Sequence, residues 1–169
     1  CLTGDDVSQG DHPQAKAVFD LDAVNLLRIA RDMRDKGEFA SGRKLETPPY
    51  LFLGATANPF APPYDERIDN LEAKIEAGAQ FIQTQFCFDL DLLRRFMDAA
   101  GRRGLHRRAH IIVGVGTLSS VKALRWMAHH VPGVHIPESV LVRIAGADDQ
   151  KAEGLAVLVE TIRALRGVE

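Results

Sequence analysis

Two glutamines in one apolar stretch are well placed to bind a polar ligand. Gln83 and Gln85 lie within residues 78–89, GAQFIQTQFCFD. If this stretch is a strand, alternation places both amides on one face, with Phe81 and Cys87. The other face then holds Ile82, Thr84, Phe86 and Phe88. An unpaired buried amide costs about 1–3 kcal/mol, so each must meet backbone, water or a ligand. On the strand alone, backbone or water is the commoner partner.

Three further polar residues stand near predicted strand ends or helix faces. Asp5 follows the short segment 1–3 after one glycine, and a carboxylate there could accept hydrogen bonds from two adjacent N–H groups of a heterocycle. A turn or helix-capping aspartate is an equally good interpretation. Asn70 and Lys74 lie four apart on a predicted helix, where they could contact a phosphate or a ring carbonyl. The neighbouring glutamates 72 and 76 make a solvated face the commoner interpretation.

Other chemistries find no support in the sequence. His129 and His130 are adjacent on a predicted helix, so their rings diverge, and the remaining histidines show no metal-ligand spacing. We therefore predict no metal. There is no Cys-His pair or nucleophile elbow. The segment GVGTLS at 114–119 lacks the third glycine of a dinucleotide fingerprint.

The elements that must position these residues alternate between strands and helices. Buried strands are predicted at 48–57, 81–88 and 110–117, and residues 1–3 look like the tail of a fourth. Helices are predicted at 22–36, 65–77, from Asp89 to about 100, from Ser119 or Ser120, and at about 150–165. This alternation predicts an α/β fold with a parallel sheet covered on both faces, either a barrel or a doubly wound sheet.

Small residues recur where the predicted strands end. In parallel α/β folds ligands bind beyond the carboxyl ends of the strands, and missing side chains there leave room for a flat ligand. Easier exit into a turn explains any single glycine as well, but their coincidence favours a pocket. The residues concerned are Gly4, Gly54, Ala55, Ala57, Gly114 and Gly116.

Composition places the chain among ordinary globular proteins. It has 169 residues, 46% hydrophobic and 26% charged, which predicts a single domain over 1–169. The net charge of −2 gives no argument for nucleic acid or a membrane surface as a partner. Two cysteines form no disulfide framework, so a cytoplasmic setting is the default expectation. The chain begins at Cys1 without an initiator Met, which suggests a fragment or a processed piece.

Several segments in order resemble the methylenetetrahydrofolate reductase family. They are LTGD at 2–5, GDHPQAKAVFDLDAVNLL at 10–27, GATANPF at 54–60, KIEAGAQFIQTQFCFD at 74–89, GVGTLSSVKALRWM at 114–127 and VPGVHIPESVLVRI at 131–144. The resemblance implies a (β/α)₈ TIM barrel, of which this chain holds the part from the end of strand 4 to the helix after strand 7. It also implies a flavin, FAD or FMN, reduced by NADH or NADPH. That flavin passes hydride to 5,10-methylenetetrahydrofolate, giving 5-methyltetrahydrofolate for one-carbon and methionine metabolism.

The resemblance also implies roles for individual residues. Asp5 is expected to tune the flavin and anchor the pterin, which makes it the catalytic candidate, and Gln85 is expected to contact the folate. The expected cofactor contacts are Thr3, Gly4, Phe19, Asp20, Asn58, Asn70 and Lys74. Asn58 stands where many members have a tyrosine, and Arg67 where others have an aspartate, so no contact is assigned to Arg67. Gln83 receives no role.

The general acid of the family, a glutamate after the first strand, is expected upstream of Cys1. Part of a barrel would expose strand edges and apolar faces, so the chain alone is expected to be inactive or unstable. Completion would come from a longer chain, a homo-oligomer or a partner. Two alternatives stay open: a non-catalytic partial-barrel subunit completed by a partner chain, and a flavin-free pterin-binding methyltransferase barrel.

Overall fold

A three-stranded parallel sheet lies at the centre of the fold. The structure is a computed structural model that describes residues 1–4, 7–18, 20–131 and 133–168. The strands are β1 (Gly54–Ala57), β2 (Phe81–Phe86) and β3 (His110–Gly114), hydrogen-bonded in the order β1-β2-β3. Both pairs are parallel, with Thr56 opposite Gln83 and Gln83 opposite Ile112. The predicted α/β class with a parallel sheet is therefore confirmed, and within the described ranges the sheet is open.

Six α-helices surround or follow the strands in the described part of the chain. They are α1 (Ala23–Lys36), α2 (Tyr64–Glu76), α3 (Leu90–Arg102), α4 (Val121–His130), α5 (Glu138–Ala145) and α6 (Gln150–Leu165). Short 3₁₀ turns cover Val7–Gln9 and Leu105–Arg107. None of the helices described is both long and apolar enough to cross a membrane.

Three helices start at the predicted positions with a capping side chain, while α3 extends to Arg102, past the predicted end at about 100. Asp22, Asp89 and Ser120 each accept hydrogen bonds from backbone N–H groups at the start of α1, α3 and α4. Gly37 ends α1 at φ 64°, a left-handed conformation that glycine adopts without strain. Helix α6 has the predicted bounds. Helix α5 was not predicted, because eight residues with few polar positions carry little periodic signal.

The strand boundaries correct the prediction in every case: β2 ends at Phe86 instead of 88, and β3 ends at Gly114 instead of 117. The segment 48–57 is a strand only from Gly54, since Pro48 and Pro49 have no N–H to donate to a ladder. Residues 1–3 are not a strand. Among the described residues, the segment's hydrogen bond to β1 runs from the Cys1 amino group to the Gly54 carbonyl at 2.6 Å, and a single bond does not make a ladder.

One face of the sheet packs on helices α1–α3 and forms the main core. Leu27, Leu71 and Ile82 are fully buried there, and each such burial stabilises the fold by about 1.5–3 kcal/mol. A second cluster joins α4, α5 and α6 around Leu124 and Ile144.

The other face of the sheet is open, which differs from the predicted cover on both faces. Phe81 lies on this face and stacks on Phe52 at 5.3 Å between ring centroids, and Phe52 is 62% exposed. Ile112 is 50% exposed, and its register neighbour Gln83 is exposed as well. No helix of the described chain lies over these side chains, because α1–α3 all pack on the opposite face.

A register shift interrupts the alternation predicted for β2. It falls between Gln83 and Phe86. The Thr84 hydroxyl accepts a hydrogen bond from the Gly114 N–H at 3.0 Å and donates to the Gln85 carbonyl at 2.8 Å, in place of regular ladder bonds. Beyond the shift, Phe86 is 40% exposed and Cys87 is buried, the reverse of the predicted faces.

Candidate functional site

A polar cavity at the carboxyl ends of β1 and β2 gathers four of the predicted site residues. Its volume is about 380 Å³, at the lower end of the ~300–1,000 Å³ typical of ligand pockets. Asn58 follows β1, Asn70 and Lys74 come from α2, and Gln85 comes from β2. The full lining is Thr56, Ala57, Asn58, Arg67, Asn70, Lys74, Gln83, Thr84 and Gln85. We call this space the Arg67–Lys74 cavity.

Lys74 reaches across from α2 to the end of β1. Its ammonium donates a hydrogen bond to the Thr56 carbonyl at 2.8 Å, which leaves two of its three donors for a ligand. Burial lowers the pKa of Lys74, and the positive charge of Arg67 lowers it further. Among the described residues, no carboxylate forms an ion pair with it. Lys74 departs from the solvated-face interpretation because it lies half-buried in a cavity, whereas Asn70 is exposed.

Gln85 has one end of its amide fixed and the other free. Its Oε1 accepts a hydrogen bond from the Phe86 N–H at 3.1 Å. Within the described ranges its Nε2 has no protein partner, so two N–H donors are available to an acceptor in the cavity. Gln83 lines the same cavity with an exposed side chain and no side-chain hydrogen bond to the described protein. Gln83 and Gln85 therefore line one cavity, although the register shift after Gln83 interrupts the alternation from which a shared strand face was predicted.

Asn58 lines the cavity, but both ends of its amide serve the fold. Its Nδ2 donates to the Gly133 carbonyl at 2.9 Å, and its Oδ1 accepts from the Phe60 N–H at 3.0 Å. A Cβ on Gly133 would overlap the Asn58 amide, and Gly133 has φ 76°. The cofactor contact expected of Asn58 would therefore have to use its carbon atoms or backbone.

The residues expected near the amino terminus line a different cavity. It has a volume of about 400 Å³ and includes Thr3, Gly4 and Asp20 together with Asp22 and Asn25 of the start of α1. Asp5 and Phe19 lie outside the described residues. The structure therefore brings together Asn58, Asn70, Lys74 and Gln85 in one cavity, and Thr3, Gly4 and Asp20 in another.

The strand glycines serve close packing more than the cavity. A Cβ on Gly114 would lie 2.8 Å from the Thr84 carbonyl oxygen, and one on Gly54 would overlap the Phe81 ring. Neither residue lines the Arg67–Lys74 cavity, whereas Ala57 does. The prediction that these two glycines open space for a ligand is replaced by a packing role.

The Cys87 thiol lies outside this cavity and is unreactive at neutral pH. Cys87 is 2% exposed, and burial raises the pKa of its thiol to about 11, so it is a protonated, poor nucleophile at neutral pH. It lines a mostly apolar cavity of about 270 Å³ beside α6. In the part of the chain that the structure describes, no three His, Cys, Asp or Glu side chains cluster to hold a metal ion.

Arg67 is a charged residue of the cavity to which the sequence assigned no contact. It stands three and seven residues before Asn70 and Lys74, so all three share one face of α2. The i, i+3 and i+7 spacing could have identified Arg67 as a member of the site. This would have required knowing where α2 begins and which of its faces lies toward the strands.

Fold and site together define an α/β protein whose parallel strands end at a cationic, amide-lined cavity. Comparison with known proteins gives this class a family. The model of the methylenetetrahydrofolate reductase family matches residues 1–166, so the chain belongs to that family.

Two relatives illustrate the similarity. The chain is 26% identical over 161 residues to a 5,10-methylenetetrahydrofolate reductase of Pectobacterium carotovorum subsp. carotovorum, covering 93% of this chain and 49% of that protein. Among solved structures it resembles an uncharacterized protein from Clostridium thermocellum that binds two copies of 5-methyl-5,6,7,8-tetrahydrofolic acid. The TM-score is 0.57 at 18% identity, covering 86% of this chain and 57% of the other. The chain spans about half the length of these relatives.

Proposed function

We propose that this chain forms the folate- and flavin-binding part of a methylenetetrahydrofolate reductase-type enzyme. The reaction is reduction of 5,10-methylenetetrahydrofolate to 5-methyltetrahydrofolate, with NADH or NADPH as the reductant. One observation carries the proposal: the Arg67–Lys74 cavity brings Asn70 and Lys74 of α2 together with Gln85 of β2. These are three of the positions to which the family resemblance gives ligand contacts.

The donors in this cavity fit a flavin nucleotide and a pterin. Arg67 and Lys74 supply positive charge for an anionic part, and the free amides supply donors and acceptors for ring edges. A bound flavin would supply hydride transfer between the nicotinamide and the folate. In this proposal Lys74 and Asn70 hold that group, and FAD or FMN both suit the charges present.

Gln85 orients the folate in this proposal. Because its Oε1 is held by the Phe86 N–H, the amide plane is set and Nε2 points away from that bond. Two fixed donors suit a ring carbonyl or ring nitrogen of a pterin, and orientation of the reacting groups is what a protein contributes to a cofactor reaction.

We further propose that the open face of the sheet forms the inner wall of a (β/α)₈ barrel. Phe52 and Ile112 expose apolar surface there, and the outer edges of β1 and β3 have no neighbouring strand in the described chain. Further strands, from the same protein or from a partner, would cover both. The isolated chain should then show no reductase turnover.

The experiment is expression of the complete protein, with absorbance and turnover as readouts. A flavin absorbance band together with NAD(P)H-dependent formation of 5-methyltetrahydrofolate supports the proposal. A colourless protein that binds folate supports the second candidate, a flavin-free pterin-binding barrel. Two observations favour that candidate. The Asn58 amide is already hydrogen-bonded within the fold and is not free for a flavin. The Clostridium thermocellum neighbour binds 5-methyl-5,6,7,8-tetrahydrofolic acid. A colourless protein without folate binding would refute both.

A further inference from the structure

A stripe of alternating charge runs along the outer face of α3. Its second, third and fourth members stand four, seven and eleven positions after the first. At about 3.6 residues per turn, this spacing places all four in one narrow sector of the helix surface. All four side chains are exposed, and the buried residues of α3 lie on the opposite side of the helix, so the stripe points into solvent. It consists of Asp91, Arg95, Asp98 and Arg102.

Most of these charges have no partner within the described part of the chain. Asp91 pairs with Arg94, which lies outside the stripe, at 3.0 Å. Across the described ranges, Arg95, Asp98 and Arg102 form no ion pair and no side-chain hydrogen bond. Asp98 stands three and four positions from the two arginines, a spacing at which pairs on one helix can form. These three groups are therefore available to pair with another molecule.

The order of the charges is complementary to itself. Two α3 helices can pack antiparallel about a two-fold axis that passes between them at the middle of the stripe. Arg95 then lies opposite Asp98 of the second copy. One turn farther from the axis, Arg102 lies opposite Asp91 of the second copy. The symmetry repeats both contacts, so four pairs of opposite charge form. A parallel pair in register would instead place each charge against its own copy.

Apolar side chains beside the stripe provide surface that this pairing would bury. Leu92 and Ala99 line a groove of about 220 Å³ between α2 and α3, and Arg95 and Arg102 line the same groove. Tyr64, at the start of α2, lines it too and is 47% exposed. A two-fold axis keeps the same flank of both helices together, so the two grooves adjoin. Apolar burial then supplies affinity, and the charges set orientation and register.

Extension of the sheet into a barrel would leave this face uncovered. Helix α3 follows β2, the central strand, which already has a neighbouring strand on each side. Strands added next to β1 or β3 would bring their helices to positions farther around the sheet. The partner of the stripe is therefore a separate surface and not a further strand or helix of the barrel.

We propose that the outer face of α3 is an interface between two copies of this protein, packed antiparallel about a two-fold axis. A second copy fits the stripe because the stripe carries both signs of charge in the order that its own reverse requires. A uniformly acidic or uniformly basic partner would be repelled by two of the four charges. The interface does not depend on the reaction proposed above.

The test follows self-association of the complete protein by sedimentation velocity over a concentration series. Wild-type protein should associate, and the association should weaken as salt is raised. Arg95→Glu places like charges opposite each other twice in the symmetric pair, so it should weaken the association at least about tenfold. Asp98→Arg should have the same effect. Arg108→Glu is the matched control, because it makes the same charge change at an exposed arginine outside the stripe, and it should leave the association unchanged.

An equimolar mixture of Arg95→Glu and Asp98→Arg shows whether positions 95 and 98 face each other. In a mixed pair the introduced glutamate meets the introduced arginine, and the remaining Asp98 meets the remaining Arg95. The mixture should therefore associate about as tightly as wild type, although neither variant does so alone.

Wild-type protein that stays monomeric throughout the series would overturn the inference. Equal association of Arg95→Glu and Arg108→Glu would do so too, because the interface would then lie elsewhere, and so would a mixture that fails to associate. If circular dichroism shows that either single variant is unfolded, Arg102→Glu takes its place, since it faces Asp91 of the second copy. Weakened association of Arg102→Glu relative to Arg108→Glu supports the interface, and equal association of the two overturns it.

Discussion

The side-chain amide of Asn58 joins the end of β1 to the loop after α4 by donating to the Gly133 carbonyl, 75 residues away along the chain. Its Oδ1 holds the Phe60 N–H at the same time. One amide therefore fixes both the loop that leaves β1 and its contact with the turn at Gly133. These contacts position the wall of the Arg67–Lys74 cavity.

Replacing Asn58 with Ala should destabilise the fold. The change leaves a partly buried carbonyl and N–H without partners, which costs about 1–3 kcal/mol in the free energy of unfolding. Urea denaturation of the complete protein measures it. Asn70→Ala is the control: that side chain is exposed and makes no hydrogen bond to the described residues, so stability should stay within about 0.5 kcal/mol. Equal stability of the two variants would contradict the structural role of Asn58.

Replacing Gln85 with Ala should impair folate use and leave flavin content unchanged. Loss of the two Nε2 donors removes about 0.5–1.5 kcal/mol of binding free energy, which corresponds to about a 2- to 13-fold rise in the KM for 5,10-methylenetetrahydrofolate. Steady-state kinetics and the flavin absorbance of the purified variant measure both quantities. Gln83→Ala, a neighbour in the same cavity, tests whether the effect is specific to Gln85. Unaltered folate kinetics in Gln85→Ala would remove Gln85 from the site.

Gly154 in α6 should not tolerate a methyl group. Alanine normally favours a helix over glycine by about 1 kcal/mol, but a Cβ here would overlap the Leu118 carbonyl, part of the backbone. Close approach therefore outweighs propensity, and Gly154→Ala should lower the free energy of unfolding by about 1–3 kcal/mol. Gly101 of α3 gives the opposite control. Its nearest neighbour atom to a Cβ is His106 Nδ1 at 4.0 Å, so Gly101→Ala should be neutral or stabilising. Similar effects at both sites would show that α6 does not pack on Leu118 this way.

Lys74 should make stability rise with pH in the alkaline range. Burial and Arg67 lower its pKa below the ordinary 10.5, so between the lowered pKa and 10.5 the unfolded chain binds more protons than the native protein. The cost of the buried charge is fully present below that window and is lost as pH rises through it. Wild-type stability relative to Lys74→Met should therefore increase between about pH 7 and pH 10.5.

Paired urea denaturations at the two pH values measure this difference. Other alkaline titrations cancel in the comparison because both proteins share them. Arg67→Gln removes the second cause of the lowered pKa, so the same difference measured in that background should be smaller. A wild-type advantage that does not change with pH would show that Lys74 is fully solvated.

Much of the architecture was predictable because its signals are local. Capping by Asp22, Asp89 and Ser120, the stop at Gly37 and the bounds of α6 all depend on residues within one turn of the boundary. The parallel order of the three strands follows from their alternation with helices. Asn70, Lys74 and Gln85 line one cavity, and their ligand contacts stay a prediction from the family resemblance.

The sequence by itself determined the strand-helix alternation, the family and the residues able to bind a polar ligand, because periodicity, capping and motifs are written in neighbouring positions. Only the tertiary structure decided what those residues face. The register of β2 shifts where the Gly114 N–H donates to the Thr84 hydroxyl. The Gly133 carbonyl accepts a hydrogen bond from the Asn58 amide. Arg67 joins Lys74 in one cavity. These outcomes depend on contacts between segments far apart along the chain, and the strand pattern alone could not distinguish Gln83 from Gln85 or reveal that two cations share one cavity.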